Sequence, residues 1–313
     1  NMEIQTVWRV GSMSLQPEAK QVQPIAGLRP KPKLRAHIFK FYRTKPLGAF
    51  GATMALLILI IAIFAPAIRT HDPYITDHEK LYAAPSSEMY FGGDNLGRDV
   101  FSRIVEGARI SIRVGLISAL VGCTIGMVVG VSSGYFGGIY DLLVQRLIDA
   151  LIAFPALVLA MALMAALGSS INNVIIALSI IFIPGTARII RSQALAINET
   201  DYVLAARAVG ANDLRIMLRH MIPNVMAIFI VTSTFLMGVA VIAEASLSFL
   251  GLGVGPDVPS WGGMLRGATK NYIGIGPWLP VVPGLAIAIV VFSWNVMGDS
   301  LRDVLDPRLR GLQ

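Results

Sequence analysis

Residues 201–224 read DYVLAARAVGANDLRIMLRHMIPN, a charged, amphipathic stretch set between two runs too apolar for water. Its first half is dominated by the helix formers Leu204, Ala205, Ala206 and Ala208. Ala205 and Ala206 are small enough to let another helix or protein surface approach. Gly210 ends or turns that helix, because glycine takes left-handed backbone at low cost. Asn212 suits an N-cap, and Asp213 follows it near the positive end of the next helix. That second helix is predicted over residues 214–221. It would present Leu214, Met217, Leu218 and Met221 on one face, Arg215 and Arg219 on another, and stop at Pro223. The reading is a helix–Gly–helix hairpin held at the membrane surface. A plain loop resting on lipid headgroups is the alternative, but an insert of this kind makes most sense if something in the aqueous phase docks on it.

The surroundings set the fold class. Of 313 residues, 55% are hydrophobic and 14% charged, with a mean hydropathy of +0.66. Soluble domains carry about 25% charged residues, so this is a membrane protein by composition, and its helix-length apolar runs make the expected fold all-α integral membrane. Apolar runs of about 20 residues cross the hydrocarbon core. Six qualify, at roughly 47–68, 112–133, 148–168, 173–190, 224–248 and 279–298. The first is expected to be an uncleaved span, since the basic segment before it is too long for an ordinary signal peptide.

Lysine and arginine then orient the chain. With the N-terminus inside, cytoplasmic segments hold 18 of the 26 basic residues and outer segments hold six, two more lying at span ends. The positive-inside rule selects this orientation, with both termini cytoplasmic. The expected organisation is a basic cytoplasmic tail (1–46), a first span (47–70) and an outer segment (71–109). A core of five spans follows (110–298), containing the hairpin (200–223) and an outer loop (251–278), then a cytoplasmic tail (299–313). In the outer segment, Phe101, Ile104, Val105 and Ala108 recur at helical spacing, which predicts an amphipathic helix lying on the membrane surface.

The net charge of +7 does not point to nucleic acid. Nine basic residues fall in 1–46 without aromatic interleaving, which suits anionic lipid instead. The single cysteine, Cys123, excludes intrachain disulfides and cysteine-based metal sites. His37, His71, His78 and His220 have no metal-ligand spacing, so no metal is assigned. A P-loop, a GxSxG elbow and paired intramembrane carboxylates are all absent, and no catalytic residue is named. The only acids near the spans are Asp149 and Glu244, each read first as a structural hydrogen-bonding group. No repeat of 20–50 residues and no inverted duplication is visible.

Gly122, Gly126, Gly130 and Gly134 stand four apart, along one face of the second span, and let another backbone approach. This is either static packing or a seam that moves. Pro155 and Pro184 are expected to interrupt the third and fourth spans and free carbonyls there. With Glu244, they are the candidate pathway or gate positions.

Ala205-Ala206, then Gly210, then Ile222-Pro223 resembles the EAA loop of ABC-importer permease subunits: Glu-Ala-Ala, three residues, Gly and a later Leu-Pro. Leu204 stands where that pattern has Glu, and Ile222 where it has Leu. GGDNLGRDVFSR (92–103), GARIS (107–111), GYFGG (134–138), AFPAL (153–157), EASLSFLGLGV (244–254), PSWGGML (259–265) and GDSLRDVLDPRLR (298–310) are similar to the dipeptide/oligopeptide/nickel permease group, C-type subunit. The likeness covers roughly residues 40–310. It implies a type I importer permease core in a bacterial cytoplasmic (inner) membrane, working by alternating access. The partners it implies are a second related permease, two ATPase subunits and an extracytoplasmic substrate-binding protein. This chain would need no cofactor, ATP and magnesium residing in the ATPases. Docking would fall on Ala205, Ala206, Gly210 and Pro223, with Asp213 and Arg215 as polar contacts, and the cargo would be peptides. Nickel, glutathione or another small solute is the nearer alternative. An ion-coupled secondary transporter relying on Asp149 and Glu244, or a non-transporting scaffold, is the more distant one.

Overall fold

The structure, a computed structural model, describes residues 41–269 and 276–305. The basic tail up to Lys40, part of the 251–278 loop and the end of the 299–313 tail lie outside them. Five single helices among the described residues are long and apolar enough to cross a bilayer, and a bent pair makes a sixth candidate. In chain order the elements are α1 (Pro46–Ile63), α2 (Val100–Phe136), α3 (Gly138–Ile152), α4 (Ala156–Leu167) and α5 (Ile171–Asn198). Next come α6 (Asp201–Ala208), α7 (Asp213–Ile216), a π-helical turn (Met217–Met221) and α8 (Ile222–Leu250). The last two are α9 (Trp261–Thr269) and α10 (Trp278–Leu305). The protein is all-helical, apart from one isolated bridge between Gly93 and Asp99 among the described residues.

The centre is α2 against α5, with α8 packed on α2 and α10, and α1 laid along α10. α2 has 37 residues, about 55 Å at 1.5 Å per residue, well beyond the hydrocarbon core. The expected surface helix is therefore not a separate element; it is the first third of α2. Asp99 caps α2 by accepting from the Ser102 N–H at 2.9 Å. Ser102 Oγ in turn accepts the N–H of His71 at 2.9 Å. Val105 and Ala108 are buried, and Trp261 packs here and donates to the Ile104 carbonyl at 3.1 Å. Its apolar side is buried against α9, inside the protein, and the helix runs on without a break into the span.

The third span departs from a single straight helix. α3 and α4 meet at 87° across residues 153–155. Pro155 disfavours helical backbone at the residue before it and itself sits at φ −55°, ψ 130°, as the cap of α4. Gly137 and Gly138, both at positive φ (61° and 55°), make the reversal from α2 into α3. Pro184, by contrast, does not interrupt its span: α5 runs unbroken through it, and the residue is buried. A tightly packed helix tolerates an internal proline when its neighbours hold the turn in place.

Candidate functional site

The hairpin follows α5 at the end of the bundle where α2 finishes. α6 closes at Gly210, whose φ of +80° is the left-handed conformation that glycine adopts freely. The Ala211 N–H reaches back to the Ala206 carbonyl at 3.1 Å. Asn212 then caps α7, accepting from the Arg215 N–H at 2.8 Å. Pro223 does not stop the second helix. The chain widens into the π turn at Met217–Met221 and passes directly into α8, with Pro223 in its first turn, where a missing N–H is tolerated. The Asn224 side-chain amide donates to the His220 carbonyl beside it.

That wide turn also changes which face is apolar. Val203, Ile216, Met221 and Val225 are buried against Met127, Val131 and Tyr135 of α2 and against Ile190 and Ala194 of α5. Ile216 lies inside although it fell outside the expected apolar stripe. Leu214 and Leu218, placed on that stripe, are 60% and 55% exposed. A π turn advances fewer degrees per residue than the 3.6-residue period assumes, so the stripe slips. The open surface of the hairpin therefore carries Leu204, Val209 (84% exposed), Leu214 and Leu218 beside Arg215 and Arg219.

Of the named hairpin residues, Ala205, Gly210, Arg215 and Pro223 are exposed and Ala206 is half-buried against the core. Asp213 is engaged within the chain: the Tyr135 hydroxyl donates to its Oδ1 at 2.7 Å. Arg207 stands over the Tyr135 ring, 5.4 Å from its centroid, and donates to Asn198 Oδ1 at 3.0 Å. Sequence reasoning missed Tyr135 and Arg207. The GYFGG motif was visible, but nothing in it revealed that its tyrosine reaches residue 213.

The glycine row faces α5 along its whole length. A Cβ would stand 2.8 Å from the Ser179 carbonyl oxygen at Gly122 and 2.8 Å from Thr186 Cβ at Gly126. At Gly130 it would stand 2.5 Å from the Ala187 carbonyl oxygen, and at Gly134 2.7 Å from Ala194 Cβ. Cys123, buried beside this seam, lies 3.6 Å from Thr186 Oγ1.

Asp149 and Glu244 are not brought together. Asp149 is half exposed on α3, bonded by Arg188 at 2.6 Å with Arg146 at 3.8 Å. Glu244 is fully buried in α8 and accepts from Ser111 of α2 at 3.1 Å and from Ser248 at 2.8 Å. It ties α8 to α2, and no partner is common to the two acids. Pro155 marks the α3–α4 bend. α3 buries only Ile148, and Arg191 of α5 holds it through Asp141. Near the start of α2 a cavity of about 530 Å³ is lined by Asp94, Arg98, Arg103, Ser248 and Arg266 among others.

Residues 126–311 match the family described as the binding-protein-dependent transport system inner membrane component. The chain is 41% identical over 271 residues to the glutathione transport system permease protein GsiD of Escherichia coli O1:K1 / APEC, covering 86% of this chain and 89% of that protein. The same figures hold for GsiD of Shigella flexneri serotype 5b (strain 8401). Among solved structures, a chain of the inward-facing MetNI methionine ABC transporter superposes with a TM-score of 0.53 at 20% identity, over 65% of this chain and 96% of that one. That likeness supports the fold alone.

Proposed function

The chain belongs to the family of binding-protein-dependent transport system inner membrane components, as an ABC-importer permease subunit of the bacterial inner membrane, and on that premise we propose that it carries short peptides inward, driven by ATPase subunits docked on its hairpin. The observation that carries the docking reading is the exposed apolar set Leu204, Val209, Leu214 and Leu218. These side chains sit on a hairpin outside the spans and beside arginines, where water is a poor neighbour for them and a protein groove a good one. The surplus of lysine and arginine puts this hairpin and both termini on the cytoplasmic side, where ATP is. ATP and magnesium reside in the partners, and a second permease completes the pathway. An extracytoplasmic binding protein delivers cargo.

In this scheme the chain is a passive gate. Nucleotide bound by the ATPases favours one of two packings of the spans, and the hairpin passes that preference on. Short peptides suit the likeness to the dipeptide/oligopeptide/nickel group. The similarity to GsiD brings in glutathione, itself a tripeptide, as the specific alternative. The test is coexpression with the partner permease and ATPases and substitution of Val209→Glu or Leu214→Glu. Both variants are expected to insert normally, lose copurifying ATPase and lose uptake. ATPases that stay bound refute the dock. Competition of labelled dipeptide uptake by glutathione and by nickel ions then sorts the cargo.

A further inference from the structure

The three long helices at the hairpin end reach it in different ways. α5 runs into the hairpin through Glu199 and Thr200, and α8 leaves it through the π turn, so the chain itself joins both. α2 has no such link. Beyond Phe136 its chain reverses at Gly137 and Gly138 and departs into α3. What reaches the hairpin from α2 is Tyr135, one residue from the end of the helix, together with the apolar side chains of Met127 and Val131.

Tyr135 touches both arms of the hairpin. Its hydroxyl donates to Asp213, the first residue of α7, at 2.7 Å. Its ring lies under Arg207 of α6, whose guanidinium also donates to Asn198 at the end of α5. The ring is itself buried in the cluster that includes Val203, Ile216 and Met221. Apolar contacts are non-directional and let surfaces slide. A hydrogen bond to a carboxylate is short, directional and about twice as strong as a neutral one. The foot of α2 is therefore pinned at one point on an otherwise greasy surface.

What α2 receives there it passes on. Its glycine row brings its backbone against that of α5, with no long side chain between them to absorb a displacement. We infer that Tyr135 is a positioning residue for energy coupling: through Asp213 and Arg207 it locks α2 to the hairpin, so that the hairpin moves α2 and α5 as one body. This rests on the hairpin being the ATPase dock, and the experiment separates the two.

The test uses the whole importer (both permeases, ATPases and binding protein) in proteoliposomes supplied with labelled peptide. Tyr135→Phe keeps the ring and its packing under Arg207 and removes only the hydroxyl, with its bond to Asp213 and its polar contact with the Arg207 guanidinium. Bound ATPase and thermal stability are expected to be unchanged. Peptide taken up per ATP hydrolysed falls about tenfold, the low end of what one hydrogen bond to a charged group is worth. Asp213→Ala gives the same loss, whereas Asp213→Asn, which keeps an acceptor, restores most of the ratio. The double variant Tyr135→Phe/Asp213→Ala is no worse than Tyr135→Phe alone, because the hydroxyl that bonds Asp213 is already gone. A wild-type uptake-to-hydrolysis ratio in Tyr135→Phe overturns the inference, as does an additive double variant. A drop in stability with the ratio intact overturns it too, leaving Tyr135 a purely structural residue. ATPases that remain bound to Val209→Glu overturn the dock instead, whatever the Tyr135 ratio.

Discussion

Placing one methyl group on the seam between α2 and α5, by Gly130→Ala, tests the packing on which the bundle rests. The new Cβ would stand 2.5 Å from the Ala187 carbonyl oxygen and 3.0 Å from the Arg191 nitrogen and Ile190 Cβ. Ordinary contact begins at 3.4 Å, so the two helices must part by about 0.9 Å. The obstructing atoms are backbone and cannot swing aside. Overpacking of this kind costs about 2 kcal/mol. The substitution also gains about 1 kcal/mol of helix propensity, which a control shares. Gly284→Ala, in α10, is that control, since nothing lies within 4 Å of its Cβ. The difference between the two variants isolates the overpacking and corresponds to about 3 °C in Tm for a chain of this size. Unfolding of the detergent-purified chain is followed with a thiol-reactive dye at Cys123, the sole cysteine, which is buried beside the seam. Equal melting of Gly130→Ala and Gly284→Ala refutes the tight seam.

Glu244→Leu strands the hydroxyls of Ser111 and Ser248 in the bundle at about 1–3 kcal/mol each, whereas Glu244→Gln keeps an acceptor, so Tm should fall steeply only for the first. Gly210→Val forces a β-branched residue to φ +80°, a strain of about 1–2 kcal/mol, with nothing nearby to clash. Membrane insertion should be normal and ATP-driven uptake lost; intact uptake and ATPase stimulation would refute a coupling role for the turn at Gly210. Asp149→Asn breaks an exposed pair worth less than about 1 kcal/mol and should leave both Tm and transport unchanged. Abolished transport there would favour an ion-coupled transporter.

Much of this architecture is readable from residues alone, for physical reasons that stop at definite points. Five of the six expected spans follow from apolar runs as single long helices, because a bilayer demands about 20 such residues whatever their neighbours. The Gly122–Gly134 row faces α5 because residues four apart share a helix face. Gly210 and Asn212 declare their turn and cap through local backbone preference alone. What escapes is decided by tertiary contact. Whether the helix at Val100 lies on lipid or extends α2 depends on Trp261, some 150 residues away in sequence. The bend at Pro155 and the continuity at Pro184 come from the same residue type in different packing. The slipped stripe at Leu214 and Leu218 follows from a π turn that an assumed 3.6 period cannot express. Tyr135 meeting Asp213 spans 78 positions, a pairing no local pattern announces.

The central claim, a gate worked by ATPases gripping the hairpin, is tested most directly by peptide accumulation in proteoliposomes. The complete importer and the purified chain alone are compared with ATP inside or with an imposed ion gradient. The account predicts accumulation only by the complete importer with ATP, and its loss when the permease carries Val209→Glu. Accumulation by the chain alone on an ion gradient would contradict it.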